Sequence, residues 1–397
     1  MDNEKIPNFL AEQRESAPED LQTYFLEFED FWERKLWHEL TNRLVDFFNH
    51  SASGPQRIPL FETFIKTFAD KINQLKLVAL GLRAAHEVSG KIDATLLNRQ
   101  AKAVEDVQQQ LSFLESLASR VNKPSSQDAY VYASVAAASI KLKLNSYQDA
   151  RKDLDKAEAI LDTFDSVETI VHACFYEVNA DYYHARQEFA SYYKNALLYL
   201  ACVELSNLTP TELQTRAYDL SIAALVSESI YNFGELLLHP ILDSLTNTPH
   251  DWLRELLFAF NRGDLSAYTL LEQHLPKNDL LKQHQQFLYQ KLSLAALTET
   301  AFRRPPHDRT MAFADVAQNT NVREDEIEHL VMKALSLGLL RGTIDQVAKV
   351  ARINWVQPKV LDMSQVEGMR GRLREWDASV NQLGNWIEGV GKDVWAA

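Results

Sequence analysis

The sequence predicts a mainly α protein: a right-handed α-solenoid of TPR-like helical hairpins, then a winged-helix module, then a C-terminal heptad helix. Three observations carry that prediction. Apolar residues recur at steps of three and four through most of the chain. Period-two alternation is confined to GLLRGTIDQVAKVARINWVQP at 338–358. The last 35 residues place apolar side chains in an unbroken 3,4 rhythm.

At 397 residues the chain is long enough for two or more units. Its 46% hydrophobic and 24% charged residues are globular values, and 12 Gly with 12 Pro are too few for an all-β chain built on frequent turns. The first twenty residues, MDNEKIPNFLAEQRESAPED, are acidic and hold no apolar run, so they are read as a flexible N-terminus rather than a signal peptide. The longest apolar stretches, such as LVALGL at 77–82, are too short to span a bilayer. Cys174 and Cys202 are expected as reduced, buried thiols of an intracellular protein.

Residues 21–294 are read as the solenoid. Phe25, Phe28, Trp32, Leu36, Leu40 and Leu44 mark an amphipathic helix pair over 21–48, and SASGPQRIP at 51–59 breaks it. Helical periodicity resumes, breaks again at NKPSSQ (122–127), and then a loose repeat appears. A helix ends in a polar turn and a bulky residue opens the next, around Tyr147, Phe189, Phe233 and Leu265, at spacings of 42, 44 and 32. Such hairpins cannot bury their apolar faces alone, so they stack. The small residues of YASVAAASIKL (132–142) suit close helix contact.

The winged helix is assigned to 295–358. Pro305-Pro306 stops a helix, RTMAF forms a short strand, ADVAQNT a short helix and REDEIEHLVMKALSLG a longer one with Ile327, Leu330, Val331, Ala334 and Leu337 on one face. Glu324, Asp325 and Glu326 complement the helix dipole, and Gly338 falls where a left-handed residue ends a helix. Two strands follow, with Ala351, Ile353 and Trp355 on one face of the second, which Pro358 ends. Residues 359–397 form the C-terminal helix. Its seam is Val366, Met369, Leu373, Trp376, Val380, Leu383, Ile387, Val390 and Val394, with Gly384, Gly389 and Gly391 weakening the last third.

Catalytic signatures are missing. There is no H-x-H, no H-E-x-x-H and no G-x-S-x-G, and the one P-loop lookalike, GNWIEGVGKD (384–393), has Val390 where the lysine must stand. His172 beside Cys174 lies in a helical run and reads as packing. Nucleic-acid binding is disfavoured by charge. The chain is net −14, and the would-be recognition segment 324–337 carries four acids against Lys333 alone. The expectations are therefore no catalytic residues, cofactor, metal, small-molecule substrate, nucleic acid or membrane. Instead, the hairpin edge (Arg352, Ile353, Asn354, Trp355) and the helix seam are expected to meet other proteins.

Helical hairpins running into a winged helix with a helical tail resemble the PCI-domain proteins, which build the proteasome lid, the COP9 signalosome and translation initiation factor three. The words KLWHEL (35–40), NFGELLLHPILDSL (232–245), FAFNRGD (258–264), VMKALSLGLLRGTIDQV (331–347) and INWVQPKVLD (353–362) resemble the proteasome-lid branch. That resemblance implies a PCI helical part starting near 170 and a non-catalytic lid subunit of the 26S proteasome's 19S regulatory particle. It implies other PCI and MPN lid subunits as partners, a part in ATP-dependent degradation of ubiquitinated proteins, and a cytoplasmic and nuclear location. The signalosome and the initiation factor remain the alternatives.

Overall fold

The computed structural model of the chain describes residues 5–86, 96–164, 168–304, 308–358 and 363–395. It divides into two compact units, Met1–Asn207 and Leu208–Ala397.

One local turn recurs in both units. Lys35, Asn145, Gln187 and Gly263 have φ of 57°, 60°, 59° and 65°. Each sits two residues before a helix, which starts at Trp37, Tyr147, Phe189 or Leu265. In each, the next residue donates its amide to a carbonyl five back: Leu36 to Phe31, Ser146 to Lys141, Glu188 to Tyr183 and Asp264 to Ala259, at 2.9–3.0 Å. This left-handed cap satisfies the orphan carbonyls of the outgoing helix and turns the chain into the next. The polar turn before a bulky residue was thus the legible part of the repeat. A further copy at Lys35 splits the predicted 21–48 pair into Glu19–Glu33 and Trp37–Asn49. Phe233, the remaining repeat position, is the N-cap of a short helix, Gly234–Leu238.

In the first unit the helix Gln127–Lys143 packs against Gln74–His86, Leu96–Val121, Tyr147–Leu161 and Thr169–Ala185. Its small side chains make that possible: Ala129, Ala133, Ala137 and Ala138 are all buried and let backbones approach. The N-terminus differs from expectation. Lys5–Ser16 is a helix, and its Ile6 and Leu10, one turn apart, are buried in the same core as Leu21 and Phe25. The 51–59 break is a 3₁₀ turn (Ser51–Ser53) and a short helix (Gly54–Pro59) that runs into a π-helical turn, Leu60–Ile65. Pro59, lacking an amide, removes one α-helical bond there.

In the second unit the helix Gln285–Arg303 spans two neighbourhoods. Leu294, Leu297 and Ala301 enter the winged-helix core. One turn earlier Lys291, 1% exposed, points at the end of the helix Pro210–Val226. Its Nζ lies in donating position to the carbonyls of Ala224, Leu225 and Ser227 at 2.8, 3.0 and 2.7 Å, one for each hydrogen of the charged amine and one more than the neutral amine can serve at once. The rings of Tyr231, Phe233 and Phe287 lie 5.2–5.7 Å away. A lysine is therefore the cap of that helix.

The winged helix follows as β1 (Thr310–Ala312), helices Phe313–Thr320 and Glu324–Ser336, β2 (Leu340–Asp345) and β3 (Val350–Val356). Pro305-Pro306 lies outside the described residues; the preceding helix ends at Arg303. Ile327, Val331 and Ala334 are buried as expected, whereas Leu337, at the helix C-cap, is exposed. Gly338 has φ +71°, with its amide on Leu335 and that of Leu339 on Ala334. The sheet order is β1-β3-β2, both pairings antiparallel.

Candidate protein interface

The C-terminal helix runs from Met363 to Trp395, 33 residues or about 50 Å at 1.5 Å per residue. It continues past Gly384, Gly389 and Gly391 rather than ending at them. Every described side chain from Val366 to Ile387 is exposed. The seam residues Val366, Met369, Leu373, Trp376, Val380, Leu383 and Ile387 all lie on one face and are 44–67% exposed. Val390 and Val394 lie outside the described side chains. Complete burial of such a side chain is worth roughly 1.5–3 kcal/mol, and with about half of each already covered the stripe leaves about 5–10 kcal/mol of apolar transfer unused. Trp386, 64% exposed, sits off the seam and escaped the heptad reading because it breaks the rhythm.

The winged helix corrects the expected edge. Arg352, Ile353, Asn354 and Trp355 belong to β3, the centre of the sheet: Arg352 is registered with Thr310 of β1 on one side and with Thr343 of β2 on the other. The cause is the short strand after the helix Gln285–Arg303, which takes the side of β3 that a two-stranded hairpin would leave open. The outer strands are β1 and β2. The side-chain alternation is corrected as well. Trp355 pairs with Arg341 and Ile353 with Gly342, so Asn354 is an extra residue on β3. This bulge turns Val356 into the core in place of Trp355, which is half-exposed with the Arg341 guanidinium 4.6 Å over its ring. Only glycine fits opposite the bulge: a Cβ on Gly342 would lie 2.1 Å from the Arg352 carbonyl oxygen. Ile353 is buried, while Arg352 and Asn354 are exposed on the sheet face.

Of the wing's cations, Lys349 is tied to an acid of its own domain and Arg341 lies over the Trp355 ring, while Arg352 stays exposed. Lys349 Nζ bonds Glu324 at 2.8 Å, and that contact holds its pKa above the usual lysine value. Gln346 bonds Glu328 at 3.0 Å, and Arg323 pairs with Glu326. The helix Glu324–Ser336 still carries four acids against Lys333 alone, a charge that opposes a phosphate backbone.

Elsewhere, Cys174 is half-buried and desolvation pushes its thiol up to about 12, the reverse of an activated nucleophile. His172 stacks on Tyr176 with ring centroids 6.1 Å apart. Among the described residues there is no group of three or more His, Cys, Asp or Glu that could hold a metal ion, and no helix is long and apolar enough to cross a membrane.

A winged helix behind helical hairpins defines the PCI class, and the PCI domain family model matches residues 263–355. Two narrower models match on either side: PSD13 N-terminal repeats over 24–257 and the Rpn9 C-terminal helix over 359–391. Curated relatives agree along the whole chain. The chain is 41% identical over 397 residues to "Probable 26S proteasome regulatory subunit rpn9" of Schizosaccharomyces pombe, covering 99% of this chain and 100% of the relative. It is 38% identical to "26S proteasome regulatory subunit RPN9" of Saccharomyces cerevisiae, covering 99% of each chain. To "26S proteasome non-ATPase regulatory subunit 13 homolog B" of Arabidopsis thaliana it is 35% identical, covering 98% of this chain and 99% of the relative. The chain belongs to this Rpn9/non-ATPase regulatory subunit 13 family of PCI-domain proteins.

Proposed function

We propose that this chain is a non-catalytic scaffold subunit of the lid of the proteasome regulatory particle. In this reading it joins other PCI and MPN subunits and so supports lid assembly and ATP-dependent degradation of ubiquitinated proteins, in both cytoplasm and nucleus. The observation that carries it is the C-terminal helix: seven apolar side chains on one exposed face, in a segment that matches the Rpn9 C-terminal helix model. A stripe of that size has enough transfer energy to meet an association cost of about 4–15 kcal/mol, provided several helices share it. The winged helix would add a second contact. Because β3 is central, a partner strand would add at β2 or β1, while Arg352, Asn354 and Trp355 offer the sheet face. Nucleic acid has no role in this reading, since the chain is net −14, the helix Glu324–Ser336 is acidic and Lys349 of the wing is already paired with Glu324.

Affinity capture of the intact chain at native abundance, followed by mass spectrometry, tests this. Proteasome lid subunits are expected in near-equal amounts. Recovery of signalosome or initiation-factor-three subunits in their place would overturn it.

A further inference from the structure

Before its partners arrive, the seam of the C-terminal helix faces water, and its flanking charges say what can cover it. In heptad notation Val366, Leu373, Val380 and Ile387 take the a positions and Met369, Trp376 and Leu383 the d positions. Three of the four a residues are β-branched, and Leu383 sits at d. That pairing favours two parallel strands. The flanks agree. Arg372 is at g and Asp377 at the following e, the two positions that meet across a parallel two-stranded seam. Within the described chain the neighbouring charges Glu367 and Arg370 pair with each other, while Arg372 and Asp377 have no ion-pair partner. Further along, Trp386 at g falls opposite Gly391 at the following e, where no side chain obstructs a ring. An antiparallel pair centred on Ala378 would instead set Asp377 against Asp377 of the other copy and Arg372 against Trp386. That arrangement has no complementary charge.

We propose that the unassembled chain forms a parallel homodimer through this helix, with Arg372 of each copy against Asp377 of the other, and that assembly partners exchange with the second copy. The dimer rests on the seam being a protein interface, the same premise as the scaffold reading, but the two fail separately. Five glycines within the helix (Gly368, Gly371, Gly384, Gly389, Gly391) weaken the isolated helix and keep the pair exchangeable.

Sedimentation of the full-length purified chain over a concentration series gives the test. The wild type is expected to show a monomer–dimer equilibrium. Arg372→Asp and Asp377→Arg should each raise the dimer dissociation constant by about tenfold, because two attractive pairs become repulsive. The double exchange should recover most of that loss, and Leu373→Asp should leave only monomer. A wild type that stays monomeric at every concentration overturns the proposal. So does a double exchange no better than either single change, which would point to an antiparallel or unspecific pair. A monomeric wild type that still enters complexes in cells would remove the homodimer and leave the scaffold reading standing.

Discussion

Replacing Lys291 by methionine keeps the volume of the side chain and removes every donor beneath the carbonyls of Ala224, Leu225 and Ser227. Each buried acceptor left without a donor costs about 1–3 kcal/mol, but the wild type itself pays to bury an amine without an acidic partner. Burial lowers the Lys291 pKa from 10.5 to about 7. Between those values the unfolded chain holds its proton while the folded chain has shed it. The unfolded state therefore binds more protons, and folding of the wild type gains with rising pH. The gain is absent below about 7, climbs by up to about 1.4 kcal/mol per pH unit, and is complete above 10.5. Lys291→Met has no such dependence. Other lysines and tyrosines titrate in the same window, so the difference between the two proteins is the quantity to read. We expect the variant to lose about 3 kcal/mol or more at pH 9–10, and markedly less at pH 7. Urea unfolding of the full chain measures the difference at each pH. Hydrogen exchange at Ala223–Ser229 localises it to the end of that helix. A stability gap that is constant across pH 7–10, or widest at the acid end, would refute the reasoning.

Gly342→Ala should cost about 3 kcal/mol, because the new Cβ would collide with the Arg352 carbonyl oxygen and force β2 from β3; faster amide exchange across Gly342–Ile353 reads it. Gly263→Ala should destabilise by at least as much, since it combines φ +65° with a Cβ 2.6 Å from the Cα of Ala296; thermal melting against the wild type measures it. Leu10→Asp should detach the N-terminal helix without unfolding the first unit, seen as protease cleavage near residue 17 in an otherwise resistant protein.

Much of this fold was legible because its cues are local. A polar turn before a bulky residue marked the hairpin corners at Asn145, Gln187 and Gly263, and glycine after an acidic-headed helix marked the cap at Gly338. What stayed hidden depends on partners distant in sequence. Alternation at 350–356 identified a strand but could not place β1 beside it, nor reveal the bulge at Asn354 that turns Trp355 outward. The N-terminal helix showed only Ile6, Phe9 and Leu10 as large apolar residues, all within its first half and too few to signal a face along its length, and its burial comes from what it packs on. Lys291 did leave a trace. It stands at helical spacing between Leu288 and Leu294 in an apolar run, a place where a cation needs buried acceptors. In the seam the sequence pattern and the exposure coincide, because every described side chain of the helix from Val366 to Ile387 is exposed and no burial against the described residues masks the rhythm.

The central claim is that this seam joins the chain to its complex. The most direct measurement replaces Leu373, Trp376 and Val380 together with aspartate in cells and follows the chain through native gel electrophoresis or glycerol-gradient sedimentation. The seam account predicts a folded chain, with wild-type protease resistance over its two units, that migrates free of the large assembly. Normal amounts of the triple variant in that assembly would contradict it.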